Sequence, residues 1–505
     1  MKGPDVTPEE LERCVKLLEA VVADRSLLAR LPRETRAALL KAAGRVNLPV
    51  RSESVKLLKE LRAQDRRRKL SADRQVRASS VIRRAREAEV FIPPALEHGK
   101  TNPGRTLSEP RDCYVCKKPF RQVHFFYDSM CPSCGDFNHA KRSQRADLSG
   151  RTALITGARV KIGFQAALML LRAGARVVAT TRFPHDAALR YSRERDFASW
   201  RGRLLIHGLD LRHSPSVEIF CRWLDSRLDR LDFLFNNAAQ TVRRPPAFYA
   251  HLLASEAAGV SAEALPLLES HHALKAALSQ PALAEDKLDP TELALRHPGG
   301  PGAGLWDSAR LSQTKYGFSP ADLAEGAFPA GKTDADLQQV DLRAKNSWRL
   351  TLSEVSTAEM LELQLINSVA PFILCARLKP LMLRTPGREK HIVNVSAMEG
   401  SFSRGTKTDK HPHTNMAKAA LNMLTLTSAP DYAKDGIHMN AVDTGWVTDE
   451  DPARHAERKR EEHDFQPPLD IVDGAARICD PVFSGFLSGR HAWGLFLKDY
   501  RPTAW

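Results

Sequence analysis

A chain of 505 residues exceeds one ordinary domain of roughly 100–200 residues, so two to four units are expected. With 43% hydrophobic, 27% charged and 7% aromatic residues it is globular rather than disordered or fibrous. Lys and Arg outnumber Asp and Glu by 75 to 60, a net +15 that suits an acidic partner and says nothing of fold. Residues 51–88 hold thirteen Lys/Arg against five Asp/Glu, more than half the surplus. No stretch approaches the ~18–20 apolar residues of a membrane span, and no signal-type apolar core follows Met1, so a cytoplasmic protein is expected. Four of the eight cysteines fall within 22 residues, which points to a metal in a reducing compartment.

The first helix opens at Thr7-Pro8-Glu9-Glu10, where Thr caps, Pro suits the first turn and the carboxylates oppose the positive helix end. Leu11, Val15, Leu18 and Val22 recur at helical spacing. A second helix is predicted near Pro32 and Glu34, and a third from Ser52 through Arg66-Arg67-Arg68-Lys69 to Arg83, Arg84 and Arg86. This basic helical module, residues 1–100, presents either a solvated charged surface or a contact for nucleic acid or another acidic partner. Phe91-Ile92-Pro93-Pro94 and Gly99 to Gly104 mark a linker.

Residues 101–147 carry Cys113-x-x-Cys116 and Cys131-x-x-Cys134, with fourteen residues between the pairs. Two thiolate pairs on tight turns can meet around a tetrahedral Zn²⁺, as in a zinc ribbon, and four thiolates leave no open position for catalysis. The predicted site is therefore structural, with Phe120, Phe125, Phe126 and Tyr127 as its small core; His124 and His139 are spare ligands.

From Leu148 the texture changes to the βαβ rhythm of a parallel sheet. The strand 151–155 ends in Thr156-Gly157-Ala158-Arg159-Val160-Lys161-Ile162-Gly163, a turn that lets backbone N–H groups and a helix N-terminus approach a pyrophosphate. The next strand, 175–181, ends at Arg182. Leu209-Asp210-Leu211, Asn236-Asn237-Ala238-Ala239, Asn367 on a helix, Ser396 after a strand, Lys418 in Ala-Lys-Ala-Ala-Leu and Asp443-Thr444-Gly445-Trp446-Val447 then follow in order.

This succession resembles the short-chain dehydrogenase/reductase family. The resemblance implies an α/β fold for 148–505, a doubly wound parallel Rossmann sheet, with NADP or NAD bound by Thr156, Gly157, Ile162, Gly163, Asp210, Asn237, Ala238, Lys418, Gly445 and Val447. It also implies a substrate oxygen oriented by Ser396, with Asn367 in the place of the active-site Asn. Arg182 stands where an NAD-preferring member carries an acid; with Arg159 and Lys161 nearby, the cations favour the 2′-phosphate of NADP. Lys161 replaces the middle glycine, Asp443-Thr444 the usual Pro, and four residues before Lys418 stands Thr414 in place of the proton-donating Tyr. A Thr hydroxyl is a far weaker acid than a Lys-tuned Tyr. His413 or His411 substitutes, or the reaction needs no strong acid, or catalysis is lost.

Between Asn237-Ala238-Ala239 and the Asn367 helix stands an insertion, Gln240 to Ser353, containing Arg243-Arg244-Pro245-Pro246, a helical section at 251–277, the breaker His297 to Gly302, Trp306 and Trp348. It leaves the carboxyl ends of the strands, where such sheets bind ligands, and reads as a substrate-selecting lid or as a partner or oligomer surface. The expected function is an NADP-dependent oxidoreductase moving hydride to or from a carbonyl or alcohol, with a small-molecule substrate and a homo-oligomeric state open to it. The alternative is a catalytically impaired nucleotide-binding scaffold or sensor whose zinc knuckle and basic helices engage a protein or nucleic acid.

Overall fold

The computed structural model describes residues 6–88, 90–94, 105–279, 302–315, 318, 323, 325–334 and 337–505. The linker glycines 99–104 and the breaker residues 297–301 lie outside them. Two compact units divide after Ala72.

The first unit contains helices Pro8–Ala23 and Arg33–Asn47 and the start of helix Arg51–Ala78. Thr7 Oγ1 accepts the Glu10 N–H at 3.3 Å and the Glu10 carboxylate accepts the Thr7 N–H at 2.8 Å, the reciprocal box that the sequence predicted in part. Neither of the first two helices has a buried residue.

In the second unit, Arg77, Arg83 and Arg86 of the basic run are turned inward, while Arg84 stays exposed. Arg77 pairs with Asp464 at 2.6 Å, and Arg83 reaches Asp128 at 2.6 Å and Asp464 at 3.1 Å. Arg86 donates to the carbonyls of Pro467 and Leu469. These cations hold this chain's own carboxylates and carbonyls.

The knuckle follows as strands β1 (Thr106–Asp112) and β2 (Pro119–Gln122), paired antiparallel with Arg111 opposite Phe120, and helix Pro132–Ser143. Phe120, Phe125, Phe126 and Tyr127 are buried as expected, together with Val447 and Leu469 from far along the chain. The knuckle is thus continuous with the larger core. Arg142, at the end of its helix, lies 2.6 Å from Asp470 and 2.9 Å from Asp473, all three nearly inaccessible. Tyr127 donates its hydroxyl to Asp473 at 2.5 Å. Burial pushes the Asp470 carboxyl up, and Arg142 more than reverses this, leaving it below the ordinary carboxylate value.

The α/β expectation holds. Strands β3 (Thr152–Thr156), β4 (Arg176–Thr181), β5 (Leu204–Gly208), β6 (Phe233–Asn236), β7 (Lys390–Ser396), β8 (Ile437–Asp443), β9 (Phe496–Lys498) and β10 (Arg501–Thr503) form one sheet in the order 10-9-8-7-6-3-4-5, parallel except for the final β9–β10 hairpin. Both faces are covered, so the strands are apolar on both sides. Ala153 and Ile155 face helices Lys161–Arg172 and Ile471–Ser488; Leu154 faces helices Ser214–Arg227 and Ala370–Leu383.

One expectation needs correcting. Thr357–Leu383 runs as a continuous helical stretch holding an 18-residue window of mean hydropathy 1.3, long and apolar enough by composition to cross a membrane. Leu374, Leu378, Leu381 and Met382 of this stretch are buried against the sheet, the pattern of a core helix.

The insertion includes helices Pro246–Ala258 and Glu269–Ser279. It covers the edge of β5: the Gly208 N–H reaches His271 Nδ1 at 3.4 Å, the Asp210 N–H reaches the Gly304 carbonyl at 2.8 Å, and Ser308 Oγ donates to the Arg182 carbonyl at 2.9 Å.

Removing Arg142 strands a buried carboxylate. Arg142→Met is expected to cost about 3–5 kcal/mol, read as a shift of the urea transition, whereas the exposed Arg13→Met leaves it unchanged.

Candidate active site

β3 and β6 are neighbours in the sheet, and their continuations part in opposite directions, which opens a crevice at their carboxyl ends. The crevice is pinned by one clasp. Thr156 Oγ1 accepts the N–H groups of Asn237 and Ala238 at 3.1 and 3.0 Å, and Asn237 Nδ2 donates to the carbonyls of Thr156 and Gly157 at 2.9 and 3.3 Å. Gly157 has φ +67°, and a Cβ there would lie 2.9 Å from Ala238 Cα. At Gly163 it would lie 2.3 Å from the Gly157 carbonyl oxygen and 2.5 Å from Asn237 Nδ2. Both glycines are therefore required sterically. Lys161, at the first position of helix Lys161–Arg172, takes φ +55°, the conformation glycine favours. Burial pushes the Glu450 carboxyl up, and the Lys161 and Arg244 cations outweigh it, holding it below its ordinary value.

A cavity of about 1380 Å³ opens here, lined by twelve Lys/Arg and eight Asp/Glu, a net positive wall. At the end of β4, Arg182 stacks on the Tyr249 ring at 4.5 Å and donates to its hydroxyl at 2.7 Å. Arg159 is buried and donates to Asp186 at 2.7 Å, so one of the three cations read from the sequence is already neutralised by a carboxylate. Asp210 is likewise engaged: Arg212 grips it through Nε and Nη2, the latter at 2.6 Å.

At the opposite end stand Ser396 and Lys418. Ser396 Oγ donates to Asn422 Oδ1 at 2.5 Å, and Lys418 Nζ donates to the Val395 carbonyl at 2.8 Å; both side chains line the cavity. Burial pulls Lys418 down to about 8, although Glu399 and Asp443 lie nearby. Asn367 sits in a π-turn, Leu365–Val369, with its amide clamped on the Gln240 backbone: the Gln240 N–H reaches Oδ1 at 2.8 Å and Nδ2 reaches the Gln240 carbonyl at 2.9 Å. It fixes the start of the insertion.

The helix Pro412–Lys434 turns a different face to the cavity from the one read in the sequence. Thr414 and His413 are buried and do not line it; His413 Nε2 lies 3.4 Å from Glu359. His411, Asn415 and Lys418 do line it, spaced four and three residues apart on one face. His411, at φ +41°, stacks on Trp348 with ring centroids 4.0 Å apart and planes 8° apart, and burial holds its pKa below the ordinary value.

The segment after β8 closes the site. Asp443, in the Asp443-Thr444-Gly445 stretch that stands where the family has Pro-Gly, accepts the Gly445 N–H at 2.5 Å and the Met398 N–H at 3.0 Å. Gly445 has φ +75°, with Leu469 and the Tyr114 hydroxyl packed where a Cβ would be. Tyr114, between the first two cysteines, also lines the cavity. Among the described residues the cluster that could hold a metal ion is Cys113, Cys116, Cys131 and Cys134, their sulfurs all within 4.8 Å of one another. Cys116 and Cys131 are 3.8 Å apart, matching the ~3.8 Å edge of a ZnS₄ tetrahedron with 2.3 Å bonds. His124 instead accepts the N–H groups of Phe126 and Tyr127, and His139 packs on the Phe125 and Phe126 rings.

Residues 151–252 match the short chain dehydrogenase family and residues 343–469 the Enoyl-(Acyl carrier protein) reductase family. The two matches flank the insertion and take in the dinucleotide turn, Ser396, Lys418 and Gly445. Both matched stretches, together under half of the chain, resemble the short-chain dehydrogenase/reductase family. Among relatives of this reductase-like chain, an uncharacterized protein of Acanthamoeba polyphaga mimivirus is 29% identical over 385 residues, 74% of this chain and 71% of that one. Human retinol dehydrogenase 14 is 38% identical over 103 residues, 18% of this chain and 31% of its own length. A crystal structure of NADPH-bound carbonyl reductase from chicken fatty liver, 18% identical, covers 72% of this chain and 98% of its own with a TM-score of 0.42.

Asn422 could have been found from its i,i+4 spacing to Lys418. Tyr114 could not, because a residue inside a Cys-x-x-Cys turn gives no sign in the sequence of reaching a cavity built by the distant sheet.

The folded Lys418 pKa of about 8 lies below the ~10.4 of the unfolded chain, so between these values the unfolded state binds the extra proton. Wild-type stability should therefore gain up to about 1.4 kcal/mol per pH unit from this group across that window, and Lys418→Met should lose the gain in urea titrations at stepped pH.

Proposed function

We propose that this chain is an NADP-dependent oxidoreductase acting on a carbonyl/alcohol pair. The observation that carries the reading is the joining of the clasped Gly157–Gly163 turn, Arg182, Ser396 and Lys418 in one cationic cavity. The family resemblance supports the hydride chemistry; the cofactor choice rests on Arg182. The Gly157 to Gly163 backbone and the N-terminus of the following helix would face the pyrophosphate, with Arg182 at the 2′-phosphate and the Gly445 to Val447 backbone at the nicotinamide.

Bound NADP supplies or accepts the hydride. Ser396 donates a hydrogen bond to the substrate oxygen, leaving Asn422 for it. As that oxygen gains charge, Lys418 Nζ delivers the proton, since a group of pKa about 8 exchanges protons near neutral pH where Thr414 cannot. His411 and, from the insertion, Trp348 wall the substrate end, while Tyr249 of the insertion stands at the Arg182 end. In the knuckle, Cys113, Cys116, Cys131 and Cys134 are proposed to hold one structural Zn²⁺, with no position open for substrate.

Fluorescence titration should show NADPH bound at least tenfold more tightly than NADH, with the preference lost in Arg182→Ala. Failure of both nucleotides to bind at millimolar concentration overturns the reading. Across a panel of aldehydes and ketones, Lys418→Met should lower turnover by about 10²–10⁴-fold and Thr414→Ala should leave it within about threefold. Tight NADPH binding with no turnover of any carbonyl would favour the scaffold reading, which the burial of Thr414 at the proton donor's place supports.

A further inference from the structure

The cavity is roofed by a helix that the main core does not hold. Ala453, Ala456 and Lys459 of helix Ala453–His463 line the cavity, yet that helix has no buried residue. Hydrophobic burial therefore does little to fix it, and its position depends on how its two ends are tied.

Each end has a tie to the knuckle, beside the bonds that Asn346 makes to the Glu450 carbonyl at 2.8 Å and Arg349 to Asp451 at 3.5 Å near the start and that Arg74 makes to the Glu461 carbonyl at 2.8 Å near the end. On the near side, the Trp446 N–H donates to the Tyr114 hydroxyl at 2.9 Å. On the far side, Arg83 bridges Asp128 of the knuckle and Asp464 just beyond the helix, and Arg142 holds Asp470 at 2.6 Å. Tyr114 lies in the turn bounded by Cys113 and Cys116, a turn closed by the Lys117 N–H on the Cys113 carbonyl at 3.0 Å. Cys131 stands at the N-cap, and Cys134 in the first turn, of the helix whose last turn carries Arg142. The four cysteines are free thiols with no disulfide among them, so a bound metal is the link that would join the two turns.

We propose that the four-cysteine centre is a metal-dependent buttress for the roof of the dinucleotide cavity, with Tyr114 as its positioning residue. Metal binding fixes the turn that presents the Tyr114 hydroxyl and the start of the helix that presents Arg142. Those two residues help hold the ends of the 446–470 segment, Arg142 alongside the Arg83 bridge to Asp464. The metal takes no part in hydride or proton transfer. Its effect on the site passes through one hydroxyl and one guanidinium. The affinity arm of the test rests on the dinucleotide reading of the cavity; the exchange arm does not.

Hydrogen exchange followed by mass spectrometry on the full chain, zinc-loaded and after chelation with metal content measured, decides the matter. Peptides spanning 446–470 should exchange at least tenfold faster without metal, while peptides of β3, β4 and β5 keep their rates. Unchanged exchange over 446–470 after proven metal loss overturns the proposal. So does equal acceleration everywhere, which would make the metal a global fold determinant, and so does a purified chain that takes up no zinc. Tyr114→Phe, which keeps the ring and all four thiolates, should retain full metal content and the wild-type urea midpoint, yet speed exchange at the Trp446 amide and weaken NADPH about three- to tenfold. Wild-type exchange at Trp446 in that variant overturns the role of Tyr114. If the wild-type chain binds neither NADPH nor NADH, the dinucleotide reading falls and the exchange measurements still decide the buttress.

Discussion

At the point where β3 and β6 diverge, two side chains satisfy four backbone groups. Thr156 takes two N–H groups from the end of β6, and Asn237 returns two hydrogen bonds to the end of β3. Without them, the parting of the strands would leave buried peptide groups unpaired, at about 1–3 kcal/mol each. With them, the backbones approach so closely that only glycine fits at 157 and 163. The dinucleotide turn, the exit of the insertion and the cavity mouth all follow from this one contact. Asn367 repeats the device a few residues on, gripping Gln240 so that the insertion leaves in a fixed direction.

What the sequence conveyed divides along the distance over which each feature acts. The Gly157–Gly163 turn, the Thr7 cap, the two Cys pairs and the apolar strands are set by neighbours within a few residues, and they read directly. The face of the Pro412–Lys434 helix depends on how it enters, through His411 in a left-handed conformation against Trp348, a contact across 63 positions. Counting four residues back from Lys418 could not anticipate that Thr414 turns inward. Charge misled for a related reason. Arg77, Arg83, Arg86 and Arg159 look like free cations in a linear chain, and each meets a partner supplied by a distant or separate element.

The same lesson applies to the Thr357–Leu383 helix. Its composition is that of a span because it is packed on a parallel sheet whose faces are both dry, and the π-turn at Leu365–Val369 interrupts it where the insertion is anchored. Composition reports how much apolar surface must be hidden; the sheet decides where.

The ion pair joining Arg142 to Asp470 spans 328 positions. During synthesis at roughly 5–20 residues per second, the knuckle emerges about 15–65 s before the carboxylates that neutralise it. For that interval Arg142 lacks the carboxylates that hold it in the folded chain, and the knuckle's aromatic core lacks Val447 and Leu469. On the zinc reading proposed above, a cross-link through four sulfurs is a constraint available to the knuckle that early, and metal supply during translation would then bear on how much chain reaches the folded state.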